Sequence, residues 1–152
     1  MGDPTVNFRN YKQRGEWVEM RFMARAAEEG LQVSKPYGDS AAYDFIVEHG
    51  ARCLRVQVKS TSVRCKHAHY CQVRGSNHRA YADNSFDFVA VYLIHMAVWY
   101  IVPTEQVGGQ ISLYFTPGMR NSKYGQYEEA WHLLRLDAAP FVKTTTPSLS
   151  NS

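Results

Sequence analysis

Polar and apolar residues alternate along two short runs on either side of Gly50, within residues 43–60. Alternation with a period of two is typical of strands, so this segment is predicted to form a β-hairpin that turns at residues 48–51. One face of the second strand carries Leu54, Val56 and Val58, and the other carries Arg55, Gln57 and Lys59. Whether Asp44 pairs with Arg55 or with Gln57, it lies on the Gln57 side. A carboxylate, an amide oxygen and an ammonium group within reach of one another suit one divalent metal ion and one phosphate group.

An amphipathic helix is predicted before the hairpin. It begins at Arg14 or Gly15, runs to Glu29 and is ended by Gly30, because glycine readily takes the left-handed conformation that follows a helix. Four apolar residues at helical spacing are predicted to form its buried stripe: Met20, Met23, Ala24 and Ala27. The outer face is predicted to carry Arg21, Arg25 and Glu28. Glu19 lies at the edge of the apolar stripe, so its carboxylate faces either solvent or a cleft.

The rest of the chain adds strands and a second helix. Strands are predicted at 69–73, 86–95, 96–102 and 111–115, a short helix or turn at 104–107, and a helix at 122–136 that buries Tyr124, Tyr127, Trp131 and Leu134. The apolar run at 86–103 is long enough to suggest a membrane span, but Asp87, His95 and its β-branched and aromatic residues favour two buried strands. Strands clustered between helices predict an α/β domain with a mixed β-sheet flanked by helices.

Length and composition fit one folded domain. The 152 residues suit a single core, and we divide the chain into an N-terminal arm at 1–13, a domain at 14–138 and a flexible tail at 139–152. Three cysteines are too few for a disulfide framework, and the N-terminus has no apolar stretch, so we predict a cytoplasmic protein with no membrane partner. Residues 50–82 contain no Asp or Glu, which predicts either one positive face or a solvated basic loop.

Glu19 on the predicted helix, Asp44 on the first strand and Gln57-Val58-Lys59 on the second resemble the PD-(D/E)XK nuclease superfamily. The pattern is most similar to the group I intron-associated homing endonucleases of that superfamily, in which glutamine stands at the second acidic position. Segments 86–92, 99–103 and 122–131 also resemble that group. The resemblance implies a restriction-endonuclease-like fold and a metal-dependent endonuclease that hydrolyses phosphodiester bonds in double-stranded DNA.

The resemblance also implies roles for the site residues. Asp44, Gln57, the Val58 carbonyl and Glu19 are expected to hold Mg²⁺, with Mn²⁺ as a substitute, and Lys59 to orient the attacking water or offset charge on the phosphate. Tyr43 stands where the motif has proline, a position that varies widely. Gln57 replaces a carboxylate and removes one negative charge, so a weaker metal site is expected.

Other expectations concern DNA and partners. The predicted DNA contacts are Arg64, Lys66, Arg74, His78, Arg79, Arg120 and Lys123, and the resemblance implies a homo-oligomer, either a dimer or a tetramer. Residues 65–71 hold two cysteines and two histidines, but four ligands in seven residues do not easily surround a zinc ion. Two alternatives remain open: a junction-resolving, restriction or repair nuclease of the same fold, and a DNA-binding module that has lost cleavage.

Overall fold

The computed structural model describes residues 6–73 and 85–135. These residues contain two α-helices, α1 (Tyr11–Glu28) and α2 (Thr104–Val107). Their strands are β1 (Gln32–Ser34), β2 (Phe45–His49), β3 (Arg52–Thr61), β4 (Arg64–Cys65), β5 (Ala68–Gln72), β6 (Phe88–Leu93), β7 (Val98–Pro103) and β8 (Ser112–Phe115). Two short 3₁₀-helices follow at Gly125–Tyr127 and Trp131–Leu134.

Helix α1 has a defined cap at each end. The side chain of Asn10 accepts a hydrogen bond from the backbone N–H of Gln13, so the helix begins at Tyr11 rather than at Arg14 or Gly15. The predicted arm at 1–13 therefore contributes its last three residues to the helix. Gly30 has a φ of +76°, and the N–H groups of Gly30 and Leu31 bond the carbonyls of Ala27 and Ala26. This double hydrogen bond confirms the predicted end of the helix.

The prediction for the buried stripe of α1 was wrong. Val18, Phe22 and Ala26 face the core, whereas Met20 is 57% exposed and Met23 is 39% exposed. Ala24 and Ala27 are also exposed. Arg21, which was expected to face outward, stacks its guanidinium on the rings of Trp17 and Tyr92, and Arg25 stacks on Trp131. The helix thus has two apolar stripes, and the stripe that contains Phe22 packs against the core.

The hairpin of β2 and β3 agrees with the prediction. Phe45 pairs with Val56 and His49 with Arg52, so the two connecting residues lie inside the predicted turn. Gly50 has a φ of +60°, a conformation that glycine adopts without strain. Val56 and Val58 are buried beneath α1, as the predicted division of faces requires. Beyond the pair of Phe45 and Val56, the N–H of Asp44 donates to the carbonyl of Val56, which keeps Asp44 beside β3.

A five-stranded mixed sheet in the order β1-β2-β3-β6-β7 forms the centre of the molecule. Strands β3 and β6 are parallel, and the other neighbours in this sheet are antiparallel. One face packs on α1, and the other packs on the smaller sheet β4-β5-β8. The predicted α/β class and mixed sheet are confirmed, and the apolar run at 86–103 forms β6 and β7 as expected. No helix among the described residues is long and apolar enough to cross a membrane.

The predicted helix at 122–136 does not form in the described residues up to 135. Its expected buried residues Tyr124, Tyr127, Trp131 and Leu134 are indeed buried, but on two 3₁₀-helices joined by an extended piece. Here the N–H of Glu129 donates to the carbonyl of Trp99, and Tyr100 bridges to Glu128. The segment lies along the outer edge of β7 and uses its hydrogen bonds there, which a continuous helix could not do.

Candidate functional site

A cleft of about 300 Å³ lies where α1 passes the start of β2 and the centre of β3. Among its lining residues are Glu19, Asp44, Gln57, Val58 and Lys59. All five residues of the predicted metal and catalytic set therefore face one cavity. Asp44, Gln57, Val58 and Lys59 come from one hairpin, and the fold brings Glu19 to them from α1, which is more distant in the chain.

Asp44 ends the pairing between β2 and β3. Its N–H donates to the carbonyl of Val56 at 3.0 Å, and its Oδ2 accepts from the N–H of Val58 at 2.7 Å. The Asp44 carboxylate thus accepts the hydrogen bond that a backbone carbonyl would accept if the pairing of the two strands continued. Because the N–H and C=O of one residue point to the same side of a strand, the Val58 carbonyl also points towards Asp44. The carboxylate and this carbonyl lie on the same side of β3.

Gln57 and Lys59 precede and follow Val58 in β3, so their side chains point to the face opposite to that of the Val58 side chain. Gln57 is 8% exposed and pairs with Val89 of β6, and Lys59 pairs with Val91. Burial raises the pKa of the Cys71 thiol to about 12, and the positive charges of Lys59 and Arg14 oppose this rise. Lys59 therefore lies near β5 as well as the cleft. An amide oxygen and an ammonium group stand on either side of the Val58 carbonyl.

Glu19 reaches the cleft from α1 and forms an ion pair with Lys35, which follows β1. The side chain of Lys35 is about half exposed, and its ammonium group also lies 5.2 Å from the ring centre of Phe45. Glu19 was the carboxylate that the helical pattern put at the edge of the apolar stripe, facing solvent or a cleft. In the structure, the carboxylate of Glu19 faces the cleft.

Burial raises the pKa of Asp44 above its ordinary value. The negative charge of Glu19 raises it further, whereas the Val58 N–H and the positive charges of Lys59 and Lys35 lower it. Two carboxylates that repel each other in a partly buried cleft are a suitable environment for a cation.

The donors at the cleft fit a hard divalent metal ion. Glu19 and Asp44 supply carboxylate oxygens, Gln57 an amide oxygen and Val58 a carbonyl oxygen, and Mg²⁺ or Mn²⁺ prefers such oxygen ligands. Among the described residues, no group of three or more His, Cys, Asp or Glu side chains could hold a metal ion. A metal ion here would thus depend on neutral oxygens for part of its coordination, because Gln57 stands where the motif has an acid.

Sequence reasoning missed three residues at this site. Arg14 lines the cleft and donates from Nη2 to the carbonyl of Ser60 at 3.3 Å. Tyr11 also lines it, and Lys35 forms the ion pair with Glu19. The sequence did carry one signal for the first two, because Tyr11, Arg14 and Val18 are three and four residues apart and all line the cleft. On a helix, such spacings bring side chains towards one side.

The predicted DNA contacts fall into three groups. Arg64 and Lys66 are exposed on the β4–β5 hairpin, which continues from β3 and is tied to it by a 2.6 Å bond from Thr61 Oγ1 to the carbonyl of Tyr70. Arg120 lines a separate cavity of about 670 Å³, and Lys123 lies over the ring of Tyr124. The described lining of the cleft contains none of these four residues. Arg74, His78 and Arg79 lie outside the described residues, as does the predicted tail at 139–152.

The fold and the cleft together define a nuclease with the restriction-endonuclease-like architecture. A family model described as PD-(D/E)XK endonuclease matches residues 9–134. The chain belongs to this family, and it is a DNA endonuclease. This result confirms the resemblance noted from Glu19, Asp44 and Gln57-Val58-Lys59.

Two solved structures are similar to the chain. The bacterial homing endonuclease I-Ssp6803I is similar with a TM-score of 0.72 and 25% identity, over 82% of this chain and 93% of that chain. Hjc, a Holliday junction resolvase from the archaeon Archaeoglobus fulgidus, has a TM-score of 0.47 and 17% identity, over 74% of this chain and 88% of that chain. No curated protein that was compared with the chain matches it.

Proposed function

We propose that this chain is a Mg²⁺-dependent endodeoxyribonuclease of the homing type, which cuts double-stranded DNA at the cleft between α1 and β3. The observation that carries the proposal is the convergence of Glu19, Asp44, Gln57 and Lys59 on one cavity. Its homing character is supported by the similarity to I-Ssp6803I, which covers most of both chains. A coding sequence nested within an intron would favour homing over restriction.

In this proposal each side chain has a separate task. Asp44 is the anchoring metal ligand, because its Oδ2 is already fixed by the Val58 N–H. Gln57, the Val58 carbonyl and Glu19 complete the protein ligands. Glu19 also forms an ion pair with Lys35. Lys59 orients the attacking water or offsets the charge that develops on the phosphate. The bound Mg²⁺, or Mn²⁺ in its place, supplies stabilisation of that charge and activation of water.

We further propose that the protein acts in the cytoplasm as a homo-oligomer, a dimer or a tetramer. A chain of 152 residues exposes little surface for reading an extended DNA site. The outward stripe of α1, formed by Met20, Met23, Ala24 and Ala27, is an apolar surface on which a second copy can pack. Light scattering on the wild type and on Met20→Glu tests this: we expect a mass of two or four chains that falls in the variant. A monomeric wild type would contradict the oligomer.

The test of the proposed function is cleavage of plasmid and branched DNA with Mg²⁺ or Mn²⁺. Asp44→Ala and Lys59→Ala should abolish cutting, each reducing the rate by at least about 100-fold. Asp39→Ala and Lys12→Ala are matched controls, because both residues are exposed and neither is among the residues that line the cleft. Cutting that persists in both cleft variants would refute the site.

The same experiment separates the alternatives. Preferential cutting of four-way junctions would favour a junction-resolving enzyme over the homing type. DNA binding without cutting under any metal would favour a DNA-binding module that has lost cleavage. Gln57 supports this second candidate, because the described residues that line the cleft then include two carboxylates rather than three.

A further inference from the structure

Arg14 is a cationic side chain in the cleft that the proposed metal and catalytic roles leave unused. It lies in the first turns of α1 and lines the same cavity as Asp44, Gln57 and Lys59. Its Nη2 donates to the carbonyl of Ser60 at 3.3 Å, and its Cζ lies 5.2 Å from the ring centre of Tyr11. The guanidinium is therefore held between an aromatic ring and a backbone carbonyl, and its position is largely fixed before any ligand arrives.

No acidic side chain within residues 6–73 and 85–135 forms an ion pair with Arg14. The ion pairs between described residues involve Arg25, Arg55, Arg135 and Lys35, and Arg14 is not among them. The bond to Ser60 engages one of its five N–H donors, which leaves donors for an anion. Arg14 and Lys59 line the cleft together with two carboxylates, and one of these, Glu19, is paired with Lys35. Such a cleft attracts a phosphate even before a metal ion is bound.

The position of Arg14 along β3 indicates which phosphate it can reach. Asp44 hydrogen-bonds the backbone of Val56 and Val58, whereas Arg14 donates to the carbonyl of Ser60, two residues beyond Val58. Two residues of a strand span about 7 Å. Arg14 is thus displaced from the metal ligands towards the end of β3 that leads to the basic β4–β5 hairpin.

We propose that Arg14 binds the DNA phosphate next to the one that is cleaved, on the side of the β4–β5 hairpin. A guanidinium can present two parallel N–H groups to a phosphate, which fixes the orientation of the strand as well as its position. Arg14 is then a substrate-binding residue that sets the strand in register with Asp44 and Lys59. The proposal rests on the proposed nuclease function of the cleft, but binding of the phosphate does not itself require a metal ion.

The test compares Arg14→Gln with Arg14→Lys in two assays. Gln keeps an N–H donor for the Ser60 carbonyl but removes the charge. Lys keeps the charge but lacks the planar guanidinium with its two parallel N–H donors. The first assay measures the Kd for a DNA duplex in EDTA at several salt concentrations. We expect Arg14→Gln to raise Kd about 10-fold and to lower the slope of log K against log salt by about 1. Arg14→Lys should keep the slope and raise Kd by a smaller factor of about 3.

The second assay measures cleavage with Mg²⁺. We expect Arg14→Gln to raise KM about 10-fold while kcat changes less than about 3-fold, because a contact to a neighbouring phosphate is made in both ground and transition states. Lys12→Gln removes a charge from the same helix outside the cleft and should leave both parameters near the wild-type values. Melting temperatures of all variants separate binding effects from loss of fold.

The outcomes distinguish this proposal from the proposed function. A wild-type Kd and salt slope in folded Arg14→Gln would overturn the phosphate contact, even if Asp44→Ala shows that the cleft cuts DNA. If Arg14→Gln does not fold, Arg14→Ala takes its place in the same assay, and a wild-type Kd and salt slope in that variant would likewise overturn the contact. If the wild type never cuts DNA, the proposed function fails, while the EDTA assay still decides whether Arg14 holds a phosphate.

Discussion

Asp44 illustrates a conflict between stability and chemistry in one side chain. The carboxylate must be ionised to hold a cation, yet burial and the nearby charge of Glu19 disfavour the ionised form and raise its pKa. The Val58 N–H and the charges of Lys59 and Lys35 offset only part of this effect. The protein therefore keeps a destabilising charge at neutral pH where a neutral side chain would be more stable.

We expect Asp44→Asn to stabilise the protein at pH 7 by about 1 kcal/mol, or roughly 2–4 °C in Tm, while it abolishes cleavage. A group whose pKa is raised by folding contributes stability at low pH, and this contribution is lost as pH rises through the raised pKa. The advantage of the variant should consequently disappear below the ordinary pKa of aspartate. Melting curves in EDTA between pH 3 and about 8 test this sign. A variant that is less stable than the wild type at pH 7 would contradict it.

Gln57→Glu should restore a third carboxylate at the metal site. We expect Mg²⁺ to bind about 10-fold more tightly, and the metal-free variant to be less stable because a second charge is then buried beside Asp44. The measurement is the rise in Tm with Mg²⁺ concentration, which reports binding to the folded state. Gln32→Glu, on an exposed position of β1, should show no such rise beyond the wild type. Equal Mg²⁺ responses in the two variants would argue against Gln57 as a metal ligand.

Individual residues of the site were predictable to different degrees. Asp44, Gln57 and Lys59 follow from the alternation of one hairpin, since a local register fixes which side chains share a face. Glu19 was identified as an anomaly of its helix. Arg14 and Lys35 were missed because helical spacing alone does not show which side of α1 faces β3, and because Lys35 reaches the site through its ion pair with Glu19 of α1.

At the scale of elements, α1 shows why an apolar stripe alone does not identify the buried face. Its outward stripe of methionines and alanines satisfies the helical period as well as the inward stripe of Val18, Phe22 and Ala26. Phe22 decides the choice, because its ring packs against Phe45, Trp99 and Trp131. Aromatic side chains bury the most area, so the face that holds Phe22 turns inward.

For the segment after β8, the buried residues were predicted correctly, but the predicted secondary structure was wrong. Apolar residues three or four positions apart suggested a helix, and the same residues are buried on short 3₁₀ turns. Glu129 adopts a φ of +49°, and its side chain accepts from the N–H of Trp99 at 2.9 Å. Hydrogen bonds to the edge of β7 therefore determine the structure of this segment, although its apolar residues are spaced as in a helix.

Gly125 offers a sharp test of this element. A Cβ on Gly125 would lie 2.4 Å from the carbonyl oxygens of both Met119 and Arg120, so the backbone must shift. We expect Gly125→Ala to destabilise the fold by about 1–3 kcal/mol in urea unfolding. In a regular helix the same change would stabilise by up to about 1 kcal/mol. Gly109→Ala is the control, since nothing lies within 4 Å of its Cβ, and it should be close to neutral.

At the scale of the molecule, the class of fold was predictable but the order of its strands was not. Alternation and apolar runs indicate strands and their faces, yet they do not say that β3 has β6 as its parallel neighbour. That pairing joins residues more than 30 positions apart in the sequence. The same limitation hid the second sheet, in which β5 pairs with β8 across a longer separation in the sequence.

The second sheet determines where the basic residues lie relative to the cleft. The β4–β5 hairpin extends from the end of β3 that carries Lys59, and Arg64 and Lys66 are exposed on it. Arg120 instead lines a separate cavity beside His132, and Lys123 covers the ring of Tyr124. A DNA strand that enters the cleft along β3 therefore meets the hairpin first.

We expect the pair of substitutions Arg64→Gln and Lys66→Gln to weaken DNA binding at least 10-fold and to lower the slope of log K against log salt by about 2, because each phosphate contact contributes about 0.9. The pair Arg120→Gln and Lys123→Gln removes the same charge, and it should change the slope by less than about 1. Titration of a labelled duplex at several salt concentrations measures both. A larger loss from the second pair would place the DNA path across the 3₁₀ segment rather than the hairpin, since net charge is identical in the two variants.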